Sequence, residues 1–142
     1  MYTAGLERFE HHATYIDLRH GHTDLVPPKG PQSGCSGRKH SARRAHISLI
    51  SYLEVIYGCR SAEELRELRL VCSEAFEEIL PLDEEVSELA ARFMERYVLA
   101  KRPQGEDMLI AATALSRGEG LATANLKHFD FVPGLKLKPF TP

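Results

Sequence analysis

The pattern of apolar and polar positions changes character near residue 46. From there every local signal agrees with the next. His46-Ile47-Ser48-Leu49-Ile50 is a short apolar-rich run of the kind a buried strand uses. Ser51-Tyr52-Leu53-Glu54-Val55-Ile56-Tyr57 predicts a helix that stops at Gly58. Ser61-x-x-Glu64 has the form of a capping box, and Leu65, Leu68, Cys72 and Ala75/Phe76 follow at helical spacing. Residues 76–82 fit a short strand. Asp83 is placed to cap a helix whose Val86, Leu89, Ala90, Phe93, Tyr97 and Ala100 share one face. Glu84 and Glu85 at its start, and Lys101 and Arg102 at its end, match the helix dipole, and Pro103 stops it. Residues 107–117 predict a helix apolar on most sides, closed by Gly118. Leu121-Ala122-Thr123-Ala124 and Leu135-Lys136-Leu137 complete the series as strands. Strands alternating with helices imply a parallel sheet with helices on both faces.

Residues 1–45 follow no such period. Residues 18–45 contain Pro27-Pro28, Pro31 and a Gly/Ser/Arg run with neither helical nor strand spacing. Residues 1–46 hold six of the seven histidines and half of the ten glycines, so their composition departs from the rest as their patterning does. A long stretch without pattern reads as loop or disorder.

Composition alters this picture little. At 142 residues, with 43% hydrophobic and 27% charged positions, the chain is about one ordinary globular domain. No apolar run approaches the roughly 20 residues that span a bilayer. The residues after Met1 lack the regions of a signal peptide, so a cytoplasmic protein is expected. Cys35, Cys59 and Cys72 have no Cys-x-x-Cys spacing and suggest incidental thiols rather than a zinc or disulfide framework. Charge matters more. The net −2 conceals seven Lys/Arg against four Asp/Glu in residues 1–45, and eleven against sixteen in residues 46–142. The C-terminal part is acidic, so divalent cations must mediate any approach of phosphate to its carboxylates.

The candidate chemistry rests on Glu54, Asp107 and Asn125. Glu54 follows the first predicted strand, Asn125 follows the strand ending at Ala124, and Asp107 opens the helix that feeds that strand. Ligands bind open parallel sheets at the carboxyl ends of strands, so all three are candidates for one pocket. Clustered carboxylates repel unless a cation compensates them, and oxygen ligands suit Mg²⁺ or Mn²⁺. Each residue also has a structural reading. Ser51-x-x-Glu54 is itself a capping box, Glu106 and Asp107 complement a helix dipole, and Asn125 suits a turn.

The combination resembles the PIN family. Ile47-Ser48-Leu49-Ile50-Ser51-Tyr52-Leu53-Glu54-Val55-Ile56-Tyr57-Gly58 is similar to the family's second acidic motif. Gly105-Glu106-Asp107-Met108-Leu109-Ile110-Ala111-Ala112-Thr113-Ala114-Leu115 resembles the third, and Leu121-Ala122-Thr123-Ala124-Asn125-Leu126-Lys127-His128-Phe129 the fourth. Ile79-Leu80-Pro81-Leu82-Asp83 and Val132-Pro133-Gly134-Leu135 are similar to VapC-like toxins. The resemblance implies an α/β fold, a three-layer α/β/α PIN-like domain over residues 46–142 with a mainly parallel sheet. It further implies a Mg²⁺- or Mn²⁺-dependent endoribonuclease, the toxin of a toxin–antitoxin pair. Glu54 and Asp107 would ligate metal, Asn125 would complete the site, and Thr123 would orient it. An RNA substrate, a cognate antitoxin and a homodimer are the implied partners.

The family's first motif, a buried strand running into Asp-Thr-Asn/Asp, has no counterpart in residues 1–45. Asp17, after Tyr15-Ile16, is the nearest candidate ligand, but Leu18-Arg19-His20 does not continue the motif. Back-translation of residues 15–30 with the first nucleotide dropped permits Ile-Leu-Ile-Tyr-Asp-Thr-Asp-Thr-Leu-Ile-Ser-Tyr-Leu-Leu-Arg-Gly among its degenerate codons. Residues 1–45 are therefore expected to be out of frame or disordered, replacing the first strand and motif; a divergent N-terminal arm is the alternative. Without that first Asp, a catalytically inactive PIN-like protein-interaction domain is the competing functional reading.

Overall fold

The structure, a computed structural model, describes the backbone of residues 15–17 and the whole of residues 45–139. The elements run β1 (Tyr15–Asp17), β2 (Ala45–Ser48), α1 (Leu49–Tyr57), α2 (Ala62–Ala75), β3 (Phe76–Leu80), α3 (Glu84–Tyr97), α4 (Gly105–Ser116), β4 (Gly120–Thr123), a 3₁₀ turn (Leu126–His128) and β5 (Leu137–Pro139). The expectations for residues 18–44, and for Cys35 among them, lie outside the described residues. Among the described residues no helix is long and apolar enough to cross a membrane.

Caps decide where the helices begin. Ser61 Oγ accepts from the Glu64 backbone N–H at 3.1 Å, while Glu64 Oε2 accepts from Arg60 N–H at 2.8 Å. That is the capping exchange expected of Ser-x-x-Glu, displaced by one residue on the return arm. Asp83 Oδ1 caps α3 through the Val86 N–H at 2.9 Å. α1 corrects the expected boundary. Its cap is Ser48, not Ser51, because Ser48 Oγ accepts from Ser51 N–H at 3.0 Å and donates to Ser51 Oγ at 2.9 Å. The preceding strand accordingly ends at Ser48, and Leu49 and Ile50 are helical. Ser51 and Glu54 form no capping box. α3 also stops early, at Tyr97, leaving Lys101 and Arg102 beyond the helix. Gly118, at φ +68° just past α4, adopts the left-handed conformation that ends a helix without cost only for glycine.

The strands form one sheet in the order β3-β2-β1-β4-β5. β2 pairs parallel with β3, and β4 parallel with β5. β1 pairs antiparallel with both β2 and β4, so four strands point one way and the central one points back. This qualifies the expected sheet at one position. The three-layer arrangement follows from β4, whose consecutive residues Leu121 and Ala122 enter different apolar clusters and so face opposite sides. Leu121 joins Val86, Phe93, Met108, Ile110 and Phe129 on the α3/α4 side. Ala122 joins Ile47, Leu68, Cys72 and Phe76 on the other. β3 serves both clusters through a bulge. Ala45 and Ile47 of β2 pair with Phe76 and Ile79, so β3 carries an extra residue that turns Phe76 and Leu80 to opposite faces. α4 is buried along most of its length, as its all-round apolar sequence requires. Burial raises the Cys72 thiol to about 11, with Cys59 adding to it, which keeps it an unreactive core thiol.

Candidate active site

Three helix and strand ends meet at the carboxyl edge of the parallel strands. α4 runs back against β4, so the start of α4 and the end of β4 share that edge. Asp107 lies in the first turn of α4, its side chain 18% exposed. Its Oδ2 stands 3.0 Å from Nδ1 of His128, which closes the 3₁₀ turn after β4. Burial pushes the Asp107 pKa up from its ordinary 3.8; the charge and hydrogen bond of His128 pull it down, and Glu106 pushes it up again. The result is a carboxyl group whose ionised form the fold disfavours, the environment a cation would relieve.

Asn125 and Thr123 reach the same edge. Thr123 is fully buried at the end of β4, and its Oγ1 accepts from the Asn125 backbone N–H at 3.0 Å. This local bond sets the chain's exit from the strand. Asn125 then precedes the 3₁₀ turn that carries His128 to Asp107, and its own side chain is exposed. The strand-to-turn segment that sequence singled out through Asn125 thus meets Asp107, but through His128. His128 received no role from the sequence, since nothing local marks a pairing across 21 positions with Asp107.

Glu54 is exposed in the middle of α1, one and a half turns past its Ser48 cap. α1 packs against α4, so the two acids stand on adjoining helices that both start at the carboxyl edge. Ser48 and Ser51 bury their hydroxyls at the end of β2 on that edge, a feature the sequence pattern assigned only to strand and cap.

Asp17 is not brought there. The antiparallel register sets Asp17 opposite Gly120, at the start of β4, and Tyr15 opposite Ala122. Asp17 therefore lies three residues, about 10 Å, from the end of β4 that carries Thr123. The reason is direction. A strand running backwards presents its amino end at the edge where its neighbours present their carboxyl ends.

Among the described residues no three His, Cys, Asp or Glu side chains gather as a ready-made cation site. The candidate donors are Asp107, at this edge, and Glu54, on the adjoining helix α1. Two carboxylate oxygens suit a hydrated Mg²⁺ or Mn²⁺, which keeps several waters, and do not suit an ion enclosed by protein ligands alone.

Comparison with known proteins agrees with this architecture. The chain is 37% identical over 91 residues to ribonuclease VapC10 from two strains of Mycobacterium tuberculosis, a stretch covering 63% of this chain and 66% of that protein. It thus spans about two thirds of those relatives' length. Its fold matches the crystal structure of DNA-bound VapBC from Salmonella typhimurium with a TM-score of 0.56 and 29% identity, covering 67% of this chain and 74% of that one. VapBC2 from Rickettsia felis, bound to a DNA fragment from its promoter, matches with a TM-score of 0.56, covering 66% of this chain and 73% of that one, though at 23% identity it shares the fold alone. The PIN domain family model matches residues 36–134, which holds α1 with Glu54, the start of α4 with Asp107 and the exit of β4 with Asn125; the chain belongs to the PIN domain family.

Proposed function

We propose that the chain is a metal-dependent endoribonuclease that hydrolyses RNA phosphodiesters, the toxin half of a VapBC-type toxin–antitoxin pair. The observation that carries this reading is Asp107, a partly buried acid with a raised pKa at the carboxyl edge, held by His128. The ribonuclease name of the Mycobacterium tuberculosis relatives and the VapBC assembly of the Salmonella typhimurium neighbour support it. Asp107 and Glu54 would hold Mg²⁺ or Mn²⁺. When bound, such an ion supplies an activated water and stabilises the leaving oxygen of the cleaved phosphodiester. The chain's own contribution is positional: Thr123 fixes the exit of β4, and His128 orients one carboxylate oxygen of Asp107. A cytoplasmic homodimer silenced by a small antitoxin completes the reading.

A second reading is a PIN domain that binds protein partners without cleaving RNA. It is favoured by the lack, among the described residues, of three potential ligands gathered in one place, and by the reversal of β1, which sets Asp17 opposite Gly120 at the start of β4. Cleavage of a labelled RNA in Mg²⁺ or Mn²⁺, with and without chelator and in Asp107→Asn, separates the two. Chelator-sensitive cleavage lost in the variant supports the nuclease. No cleavage under any condition supports the binding domain.

A further inference from the structure

Resting on the ribonuclease reading, we infer that the corner joining α3 to α4 is a phosphate clamp that delivers a single-stranded stretch of RNA to Asp107. Residues 46–142 are acidic as a whole, yet four of their eleven basic residues, Arg92, Arg96, Lys101 and Arg102, fall within eleven positions that contain one acid, Glu95. Arg92 pairs with Glu88. Among the described residues no carboxylate is paired with Arg96, Lys101 or Arg102.

Aromatic rings hold two of these cations in place. The Arg96 guanidinium lies 5.5 Å from the centre of the Tyr97 ring, and the Lys101 ammonium 5.8 Å from that of Phe131. Tyr97 and Phe131 meet edge to face at 5.0 Å. A cation resting on a ring face is partly ordered before a phosphate arrives, which lowers the cost of ordering it on binding. Arg102 adds backbone strain, at φ +49° directly before Pro103. Left-handed backbone is disfavoured for any residue with a Cβ, and proline restricts the residue ahead of it further. Glycine would sit there without strain; arginine brings a charge.

The corner adjoins the acid site through one short piece of chain. α3 and α4 are antiparallel neighbours, so the Tyr97 end of one and the Gly105 end of the other share the edge that bears Asp107. His128, which contacts Asp107, lies three positions before Phe131, which contacts Lys101 and Tyr97. Five positions separate Arg102 from Asp107, at most about 18 Å of chain. A strand of RNA held by the cations at its phosphates thus passes the carboxylate within a few nucleotides. The clamp also answers the charge problem of the acidic surface, since it sets positive groups beside the one place where phosphate must come close.

The test is binding of a fluorescent single-stranded RNA by anisotropy, in chelator and in an Asp107→Asn background so that no turnover intervenes. Lys101→Gln with Arg102→Gly removes both charges and frees the left-handed turn from strain, so folding is preserved. Arg66→Gln with Arg69→Gln, on the exposed side of α2, removes the same charge elsewhere. Binding should weaken at least about tenfold in the corner variant, and its salt dependence should fall by about 1.4 in log–log slope, about 0.7 per phosphate contact. The α2 variant should change neither. Equal losses in both variants, an unchanged slope in the corner variant, or no RNA binding by the parent overturns the clamp. The ribonuclease reading fails separately, if Asp107→Asn continues to cleave.

Discussion

β4 and β1 lie side by side at the centre of the sheet and differ in nearly every respect. All four residues of β4 are buried, it pairs parallel with β5, and its exit is set by Thr123. β1 spans three residues and runs against both neighbours. Occupying the right place in the sheet is therefore not enough to build an active site. Chemistry in an open α/β sheet collects at the carboxyl edge. β4 brings Thr123 and Asn125 to that edge, whereas β1, being reversed, carries Asp17 away from it. The carboxylate deficit at the site is a matter of strand direction as much as of residue type.

The β4 side of this comparison should be the costlier one to disturb. Met108 is fully buried between α4 and the sheet, so Met108→Ala should destabilise the fold by about 2–5 kcal/mol, read by chemical denaturation. An unchanged midpoint would mean that this core is not packed as described. A smaller loss, about 1–2 kcal/mol, is expected for Ser48→Ala, which removes the cap of α1 and leaves a buried Ser51 hydroxyl without its donor.

Asp107→Asn should change stability least of the three while abolishing cleavage. The variant loses a helix-dipole contribution of about 0.3–1 kcal/mol. It also loses the penalty of holding an ionised carboxylate where burial and Glu106 oppose it. Because the folded pKa lies above the ordinary 3.8, the contribution of Asp107 to stability is full below that value and is lost as pH rises through the raised folded value. Denaturation of the metal-free protein from pH 3 to 7 should show this decline, and Asp107→Asn should flatten it; a steeper decline in the variant would reverse the sign. At the end of the scale stands Asp17→Ala, which should leave Mn²⁺ binding unchanged in a calorimetric titration. A clear loss of affinity there would mean that β1 does reach the site.

Helices were legible in the sequence because their signals are local. Ser61, Asp83 and Gly118 act on neighbours a few positions away, and the apolar period of α3 needs no tertiary information. Glu54, Asp107 and Asn125 were candidates because each follows an apolar run or opens a helix, which is again a local signal. The start of α1 was misplaced since Ser48 and Ser51 are equally good caps by type, and it is the helical backbone of Leu49 and Ile50 that makes Ser48 the acceptor for the Ser51 N–H. The direction of β1, the bulge in β3 and the His128–Asp107 pair were not legible. Each depends on partners distant in sequence, and β1 is too short to show a period.

On the proposed ribonuclease reading, residues 45–139 hold Asp107 and Glu54 for metal but lack a correctly directed first strand ending in an acid. The direct measurement is RNA cleavage in Mg²⁺ or Mn²⁺ by this chain and by one whose residues 15–45 are replaced by the shifted-frame sequence that contains Asp-Thr-Asp. The replacement should raise chelator-sensitive cleavage by at least about 100-fold, about 2.7 kcal/mol of barrier, and Asp107→Asn in the replaced chain should remove it. Equal cleavage by the two chains, or cleavage indifferent to chelator, would contradict this reading.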